Sequence, residues 1–416
     1  MVKTPLKTSS GRNLADVRLI NRGVIFRSIR DANAISRAEL AKNSGLNPAT
    51  VTHIVRELID QGLIEDTGNT KSQGGRPSSL LQVRSEAGYI IAVHLDRYFM
   101  RAMITNLNLD ERIESELIAT RSTSSSQINI SSLLELIDGL IKKSKVDESK
   151  LLGIGICSPG PLDSKRGMLL SPPNFPGWPD TPIRKLVQDR FHLHTFLDQN
   201  ANACAYGEKL FGEFRESDNF VFILAESGLS GGIFINGDVY RGETDIAGEI
   251  GHTTIDFNGP QCTCGNYGCL ELYASPQAVE QYVCDQIKSG RKSSVSCDSK
   301  TLEAISFEEI TAEAKKNDPV CLEAINSMTK AFSIGVTNIV NTFDPSAVVI
   351  GGKIALAQEF MREPIQEAIR SRTIMGKNSK VPLYFSQLGQ DVQIIGAFSL
   401  VLRELFQNPS LKQQPL

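Results

Sequence analysis

The fold is decided by two neighbouring motifs, Gly248-Glu249-Ile250-Gly251-His252 and Cys262-Thr263-Cys264-Gly265-Asn266-Tyr267-Gly268-Cys269-Leu270-Glu271. Together they supply one imidazole and three thiols, the ligand set that tetrahedral Zn²⁺ takes in a closed structural site. Gly265 and Gly268 let the chain turn tightly around an ion. We therefore predict a structural zinc ion bound by four ligands: His252, Cys262, Cys264 and Cys269.

A disulfide and a catalytic zinc site are the two alternative interpretations of this cluster. A Cys-x-Cys disulfide is strained, and a set of four protein ligands leaves no open position for a substrate, so both are less favoured. The other five cysteines are scattered and are predicted to be buried small hydrophobic residues: Cys157, Cys204, Cys284, Cys297 and Cys321.

Length and composition indicate a globular protein of two or three domains. The 416 residues are 41% hydrophobic, 22% charged and 6% aromatic, which argues against collagen-like and disordered classes. No apolar run reaches the roughly 18 residues of a membrane span, and the opening segment MVKTPLKTSSGRN has no apolar signal region. We expect a cytoplasmic protein with no membrane partner.

Charge is distributed unevenly along the chain. Residues 1–90 carry 13 Lys+Arg against 8 Asp+Glu, a balance of +5, whereas the remainder carries 31 against 39, a balance of −8. A basic N-terminal region is a candidate for contact with nucleic-acid phosphates, although an excess of this size is also common on a solvated surface.

The N-terminal residues show start and stop signals of three helices followed by a hairpin. Ile20, Val24, Ile25 and Ile29 share one helical face. Capping signals then mark a second and a third helix, and strands at 63–65 and 79–84 flank a turn at 74–77. The capping residues are Ser36 with Glu39, Gly45, and Asn47 with Pro48, and the core face of the third helix is Val51, Val55 and Leu58.

This arrangement is typical of a winged helix-turn-helix, whose second helix of the motif enters the major groove of DNA. The side chains predicted to contact DNA are Thr50, Thr52, His53 and Arg56 on that helix and Arg76 in the wing. The alternative is a three-helix subdomain that only packs on the rest of the protein or binds protein or RNA.

From Tyr89 onwards, strands alternate with helices and Gly-rich turns follow several strand ends. Examples are YIIAVHLD, LLGIGICSPGPLD, FVFILAESGLSGGIFING and SAVVIGG. This alternation predicts an α/β body, and the glycine turns suggest a cleft for a phosphate or another ligand.

The zinc-ligand motifs, the N-terminal winged helix and the Gly-Gly-Arg-Pro turn together resemble the ROK family of repressors and sugar kinases. They occur in the order found in the xylose and N-acetylglucosamine repressors of that family, over nearly the whole chain. The resemblance implies a two-lobed actin-like ATPase body of the sugar-kinase type behind the winged helix. It implies boundaries of 1–85 for the DNA-binding domain, 86–202 completed by 386–416 for lobe I, and 203–385 for lobe II with the zinc site and a dimerisation surface.

The resemblance also assigns residues to a sugar pocket between the lobes. It places Glu249, His252 and Glu271 against the sugar hydroxyls, with Asn174 of the segment PPNFPGW and Asn200 in the same pocket. Carboxylates, amides and imidazole suit a polyol, and a nearby zinc ion would hold their loop in place. The alternative is that Glu249 and Glu271 only support the pocket from outside.

The sequence predicts that the residues for phosphoryl transfer are replaced. Family kinases carry an Asn-Asp-Ala-Asn segment whose aspartate is the base, and this chain has Gln199-Asn200-Ala201-Asn202, whose amide does not accept a proton at neutral pH. Their first phosphate loop resembles Asp-x-Gly-Gly-Thr, where this chain has Asp96-Arg97-Tyr98-Phe99-Met100, and the second loop contains Glu226 beside the expected anion. Asp198, one residue from the lost base, keeps a sugar kinase as the alternative.

The sequence therefore predicts a DNA-binding regulator, not an enzyme, that represses genes of carbohydrate uptake or catabolism. A sugar or sugar derivative in the cleft is expected to change the spacing of two winged helices in a dimer or tetramer bound to double-stranded operator DNA. A phosphorylated sugar or a protein partner as the signal, and a constitutive DNA-binding scaffold, stay open.

Overall fold

The computed structural model describes residues 14–69, 79–119, 126–172, 175, 177–214, 217–296 and 305–407. It has an N-terminal winged helix and an α/β body with two sheets. The predicted residues Arg76, Asn174 and Cys297 lie outside the described residues.

The winged helix is built from three helices and a three-stranded sheet. Its strands lie in the order β1-β3-β2, all antiparallel. The elements are α1 Leu14–Ala32, β1 Ile35–Ser36, α2 Arg37–Ser44, α3 Pro48–Asp60, β2 Ile64–Asn69 and β3 Ser79–Val83.

The predicted caps of the second and third helices are confirmed. Ser36 and Glu39 form a reciprocal capping box, and Gly45 ends α2 in the left-handed conformation with φ of 67°. Asn47 accepts from the backbone N–H of Thr50, with Pro48 at the start of α3. The predicted face of α3 is buried against Ile25, Phe26 and Ile29 of α1, and β2 extends four residues beyond the predicted Glu65.

The first sheet of the body has the order β11-β8-β4-β5-β6, with β7 also paired to β5. An antiparallel hairpin, β4 and β5, is extended by the parallel strands β8 and β11. The strands are β4 Tyr89–Leu95, β5 Phe99–Asn106, β6 Arg112–Glu114, β7 Ile118–Ala119, β8 Leu151–Ser158 and β11 Thr195–Gln199; β9 Leu162–Asp163 pairs with β10 Met168–Leu169 beside the sheet.

The second sheet repeats this plan in the order β14-β13-β12-β15-β16. Its antiparallel hairpin, β12 and β13, is extended by the parallel strands β15 and β16. The strands are β12 Phe220–Ala225, β13 Leu229–Ile235, β14 Asp238–Val239, β15 Val348–Gly351 and β16 Leu383–Phe385. Two sheets of the same order confirm the α/β, two-lobed body.

Nine helices accompany the sheets in the described part of the body. They are α4 Ser126–Ser144, α5 Ile183–Phe191, α6 Asn200–Phe211, α7 Glu271–Ala274, α8 Pro276–Lys288, α9 Phe307–Lys315, α10 Pro319–Phe343, α11 Gln358–Arg372 and α12 Val392–Gln407.

Helices α6 and α12 lie between the two sheets, and each leaves one sheet to pack on the other. Helix α6 follows β11 and packs on β13, where a Cβ at Gly232 would lie 2.3 Å from the carbonyl oxygen of Ala201. Helix α12 follows β16 and packs on β8, where a Cβ at Gly155 would lie 1.9 Å from the carbonyl oxygen of Ala397. Only glycine permits such approaches of helix to strand.

Candidate functional site: a ligand cleft, a metal-ligand cluster and a DNA-facing helix

A cavity of about 270 Å³ lies where loops from the two sheets face each other. The ends of β8, β11 and β12 and the segment around Glu249 form its walls. Four of the five predicted sugar-binding residues line this cavity: Asn200, Glu249, His252 and Glu271.

The wall that carries Asn200 and Glu249 presents polar atoms to the cavity. The Oδ1 atom of Asn200 is buried and accepts no hydrogen bond from the described residues. The Oε1 atom of Glu249 lies 3.4 Å from Nε2 of Gln199, and burial raises the pKa of the Glu249 carboxyl. Such groups can accept and donate hydrogen bonds to hydroxyls of a bound polyol.

The backbone that positions Glu249 depends on a neighbouring glycine. Gly248 has φ of 98°, and a Cβ there would lie 2.0 Å from the carbonyl oxygen of Gly231. Its own carbonyl accepts from the N–H of Gly231 at 2.7 Å. The Gly-Glu-x-Gly-His segment is thereby pressed against β13, with Glu249 toward the cleft.

Four side chains form a cluster beside this wall. One ligand atom from each of His252, Cys262, Cys264 and Cys269 lies within 4.8 Å of all the others. Nδ1 of His252 is 3.6 Å from Sγ of Cys262, and Sγ of Cys264 is 3.7 Å from Sγ of Cys269. The cysteines are free, so the disulfide alternative does not describe this structure.

This geometry fits a tetrahedral ion. Zinc bonds of roughly 2.0–2.3 Å at tetrahedral angles separate neighbouring ligand atoms by about 3.5–3.8 Å. Although burial opposes ionisation, hydrogen bonds from Cys264, His252 and Cys269 lower the pKa of the Cys262 thiol, whereas burial and the neighbouring thiols raise the pKa of Cys269, as expected for groups that share protons at close range. His252 belongs to both sites, because its Nδ1 faces the cysteines while its side chain also lines the cavity.

The opposite wall of the cavity is held by contacts between the two lobes. Nη1 of Arg97, from the loop after β4, donates to the carbonyl of Ser227 at 3.1 Å, and its Nη2 lies 3.9 Å from Oε1 of Glu271. Oε2 of Glu271 accepts from the N–H of Leu229 at 2.8 Å. A Cβ at Gly228 would lie 2.8 Å from Oε2 of Glu271 and 3.0 Å from Nη2 of Arg97, so this glycine leaves space for both side chains.

Glu226 occupies the second predicted phosphate loop. Its Oε2 accepts from the backbone N–H of Lys353 at 2.8 Å. Burial, with a smaller contribution from the negative charge of Asp96, raises the pKa of its carboxyl to about 7. An amide that could otherwise meet an anion is already bonded, and the acidic groups disfavour a nucleotide phosphate there.

Asp198 is not available as a replacement base. Its two oxygens accept from both Nη atoms of Arg241, at 2.8 and 2.6 Å. Oδ1 also accepts from Nδ2 of Asn202 and from the N–H of Gln199. A buried carboxylate held by a guanidinium fork is a structural ion pair, which removes the main reason for the kinase alternative.

The helix predicted to enter DNA presents its polar side chains outward. Thr52, His53 and Arg56 are exposed and Thr50 is half-buried, on the face of α3 opposite its apolar stripe. Nε2 of His53 lies 3.2 Å from Oε1 of Glu57, while the Thr52 hydroxyl donates to the carbonyl of Pro48.

Sequence reasoning missed two features of the cleft. Arg97 stands at the variable second position of the first predicted phosphate loop, and its partners lie 130 or more residues away along the chain. The ion pair of Arg241 with Asp198 was not foreseen, because nothing in the local sequence joins them. The sequence around Arg97 and around Asp198 gives no local signal of either contact.

Comparison with known proteins agrees with this geometry. A profile described as "ROK family" matches residues 100–404, and one described as "Winged helix-turn-helix DNA-binding" matches residues 18–65. The chain belongs to the ROK family. It is similar to the xylose repressor of Caldicellulosiruptor bescii, at 33% identity over 393 residues that cover 94% of this chain and 98% of the relative.

Two solved structures, one of a ROK family regulator and one of a ROK family kinase, are similar to this chain to different extents. A ROK family transcriptional regulator, a homologue of the Escherichia coli MLC protein, matches with a TM-score of 0.81 and 29% identity over 96% of this chain and 100% of its own. A ROK family glucokinase from Streptomyces griseus, solved with glucose and AMPPNP, matches with a TM-score of 0.64 and 25% identity over 74% of this chain and 98% of its own. The regulator thus matches more of this chain than the kinase does.

Proposed function

We propose that this ROK family protein is a DNA-binding transcription repressor of carbohydrate genes whose operator affinity is controlled by a sugar bound in the cleft. One observation carries the proposal. A single chain joins an exposed helix-turn-helix surface on α3 to a polar cavity whose base position is the amide of Asn200. Such a chain has the parts for reading DNA and for binding a polyol, and lacks the base for phosphorylating it.

The contacts with DNA come from α3. Arg56 is exposed and can make a forked contact with guanine or phosphate, while Thr50, Thr52 and His53 supply shorter donors and acceptors. Arg76 is proposed to extend from the wing toward a minor groove. Operator DNA is read by a homodimer or tetramer, since symmetric oligomers bind paired half-sites.

The ligand is a sugar or a sugar derivative. Asn200, Glu249, His252 and Glu271 offer convergent polar atoms along one cavity, and Asn174 is assigned to the same pocket on the resemblance alone. Two facts support a neutral polyol: the wall holds acceptors that suit hydroxyl donors, and the relative from Caldicellulosiruptor bescii is named a xylose repressor.

The cluster of one histidine and three cysteines is proposed to bind Zn²⁺ as a structural ion. Its spacing supports a closed tetrahedral site, and the tight turn at Gly268, where a Cβ would lie 1.7 Å from the carbonyl oxygen of Asp256, folds the loop around it. Bound zinc would cross-link the loop that carries Glu249 and Glu271. The protein is expected in the cytoplasm, where the free thiols of the cluster stay reduced. Separately, no helix in the described part of the chain has the length and apolar character of a membrane span.

The test starts from duplexes that the full-length protein selects out of a random DNA pool. The dissociation constant of a selected duplex is then measured with D-xylose, D-glucose or N-acetylglucosamine added in turn. We expect one sugar to weaken binding by about fivefold or more, within the usual range of coupling between sites.

Two variants separate the two surfaces. Arg56→Gln should weaken DNA binding by about 1–3 kcal/mol and leave sugar binding measured by calorimetry unchanged, because the side chain lies on α3 alone. Glu249→Gln should weaken sugar binding and leave the affinity for DNA without sugar unchanged. Selection that yields no enriched duplex, or DNA affinity that ignores every sugar the protein binds, would contradict the proposal.

A further inference from the structure

Helix α6 runs from the cleft to the underside of the winged helix. Its first residue, Asn200, lines the cavity, and its last, Phe211, lies beneath α1. A helix of this length spans about 17 Å. Every residue from Ala201 to Glu208 is buried, so α6 is enclosed by the body along most of its course.

Helices α6 and α12 pack on each other backbone to backbone. A Cβ at Gly396 would lie 2.6 Å from the carbonyl carbon of Ala203, and a Cβ at Gly207 would lie 3.4 Å from the backbone nitrogen of Gly396. Close-packed contacts of this kind resist small independent shifts. A displacement of α6 at the cleft therefore moves both helices together.

We define the joint as five residues where α1 meets the ends of these helices. Nη2 of Arg30 donates to the carbonyl of Leu210 at 2.7 Å. The guanidinium carbon of Arg30 lies 4.5 Å from the ring centre of Phe211 and 5.3 Å from that of Phe406. The rings of Phe26 and Phe406 are 5.2 Å apart, and the Arg30 side chain is only 5% exposed.

The middle of α1 is tied to the DNA-facing helix. Nη2 of Arg22 donates to Oε1 of Gln61, directly after α3, at 2.8 Å. Nε of Arg22 lies 3.6 Å from Oε2 of Glu57, the residue that pairs with His53 on the DNA-facing surface. Buried contacts thus continue from the cavity to the helix that reads DNA.

We propose that the joint transmits occupancy of the cleft to the winged helix, with Arg30 as its positioning residue. Arg30 touches neither ligand nor DNA. It holds α1 to the carbonyl end of α6 through one hydrogen bond and two ring contacts, and α1 carries α3 with it. This inference rests on the proposed function and adds the route by which the same cleft controls the same DNA-binding surface.

Contiguity is not itself coupling, so the test measures coupling directly. The duplex affinity of wild type, Arg30→Gln, Arg30→Lys and Arg27→Gln is determined with and without the effective sugar among D-xylose, D-glucose and N-acetylglucosamine. Arg27 is the matched control, because it is an exposed arginine that lines the same crevice between α1, α6 and α12 but makes none of the hydrogen bonds or ring contacts that define the joint. The readout is the ratio of the two affinities, which a uniform loss of DNA binding does not change.

We expect a wild-type ratio of about fivefold or more that falls below about twofold in Arg30→Gln, stays at the wild-type value in Arg27→Gln and is partly restored in Arg30→Lys. Sugar affinity without DNA should be the same in all four proteins. If the ratio of the two duplex affinities in Arg30→Gln equals that of the wild-type protein, the joint is not the route, and the proposed function stays intact. A wild-type protein indifferent to all three sugars would overturn both.

A second measurement holds even where Arg30→Gln folds poorly. Amide hydrogen exchange of the wild-type protein is followed with and without the effective sugar. Exchange should change in residues 21–32 of α1 and at the C-terminal turn of α6, because both ends of the joint are displaced. Unchanged exchange in α1, alongside a sugar-dependent change in DNA affinity, would overturn the proposal.

Discussion

The two walls of the cleft treat their polar groups in opposite ways. On the wall of Asn200 and Glu249, called the sugar-facing wall after its proposed ligand, the buried Oδ1 of Asn200 accepts no hydrogen bond from the described residues, and Glu249 has a weak contact of 3.4 Å with Gln199. The wall of Arg97 and Glu226 is called the phosphate-facing wall because it contains the two predicted phosphate loops. There, Arg97 donates a hydrogen bond to the carbonyl of Ser227, and Glu226 accepts one from the N–H of Lys353. The first wall keeps groups available for a ligand, whereas the second satisfies its own groups internally.

This difference shows how a kinase fold can become a sensor. Phosphoryl transfer needs open backbone N–H groups for phosphates and a base for the sugar hydroxyl. The second wall has used the amide of Lys353 internally, and Asn200 stands at the base position. The backbone groups that would hold a phosphate and the side chains that would contact a sugar are different groups, so one set can be kept without the other.

The largest effect is expected from the metal-ligand cluster that supports the sugar-facing wall. Cys262→Ser removes one of four ligands, so zinc content should fall and the free energy of unfolding should drop by more than about 3 kcal/mol. Metal analysis and thermal unfolding measure both. Cys284→Ala, which changes a buried cysteine of α8 outside the cluster, should keep its zinc; zinc content and melting equal to wild type in Cys262→Ser would refute the assignment.

A smaller effect is expected from Glu249 on the same wall. Glu249→Gln removes a carboxylate acceptor and should weaken sugar binding by about 1.5–3 kcal/mol, the range for hydrogen bonds to charged groups. Calorimetry measures it, with Glu243→Gln as an exposed control in the same segment. Equal sugar affinity in both variants would move Glu249 out of the binding site.

The phosphate-facing wall should respond to pH and not to sugar. The pKa of Glu226 is about 7 in the folded protein against an ordinary value of 4.5, so the folded state binds this proton more tightly than the unfolded state. Its contribution therefore destabilises the fold progressively as pH rises from 4.5 to 7 and stays constant above that.

Glu226→Gln removes this penalty. The variant should gain at most about 3 kcal/mol in free energy of unfolding at pH 8 and almost nothing at pH 4.5. Denaturant unfolding at the two pH values measures the difference, and Glu363→Gln is an exposed control. A gain that is equal at both pH values would show that Glu226 is not a buried carboxylate.

The winged helix is predictable from local sequence signals, whereas the contacts of the phosphate-facing wall are not. Ser36 with Glu39 and Asn47 with Pro48 carry their structural meaning within a few residues, and both caps formed as predicted. The metal-ligand cluster was predictable because its ligand types and glycines lie in two short motifs. These features depend on short-range chemistry that a sequence displays directly.

Long-range contacts were beyond such reasoning. The partner of Arg97 lies 130 residues away, and the partner of Asp198 lies 43 residues away, at positions set by the crossing of two sheets. The glycines after β12 predict a cleft for a phosphate or another ligand, whereas Gly228 leaves space for Glu271 and Arg97 and Gly232 for the close packing of α6. A sequence shows that space is needed at these positions and does not show what fills it.

The most direct test of the account is one titration in which selected duplex DNA, the effective sugar and Mg·ATP are present together. DNA binding is followed by fluorescence anisotropy while sugar phosphate and ADP are assayed in the same samples. We predict that the sugar alone weakens DNA binding, that ATP changes nothing, and that no sugar phosphate accumulates. Sugar phosphate formed at roughly 1 s⁻¹ or faster, with DNA binding unmoved by sugar, would contradict the account.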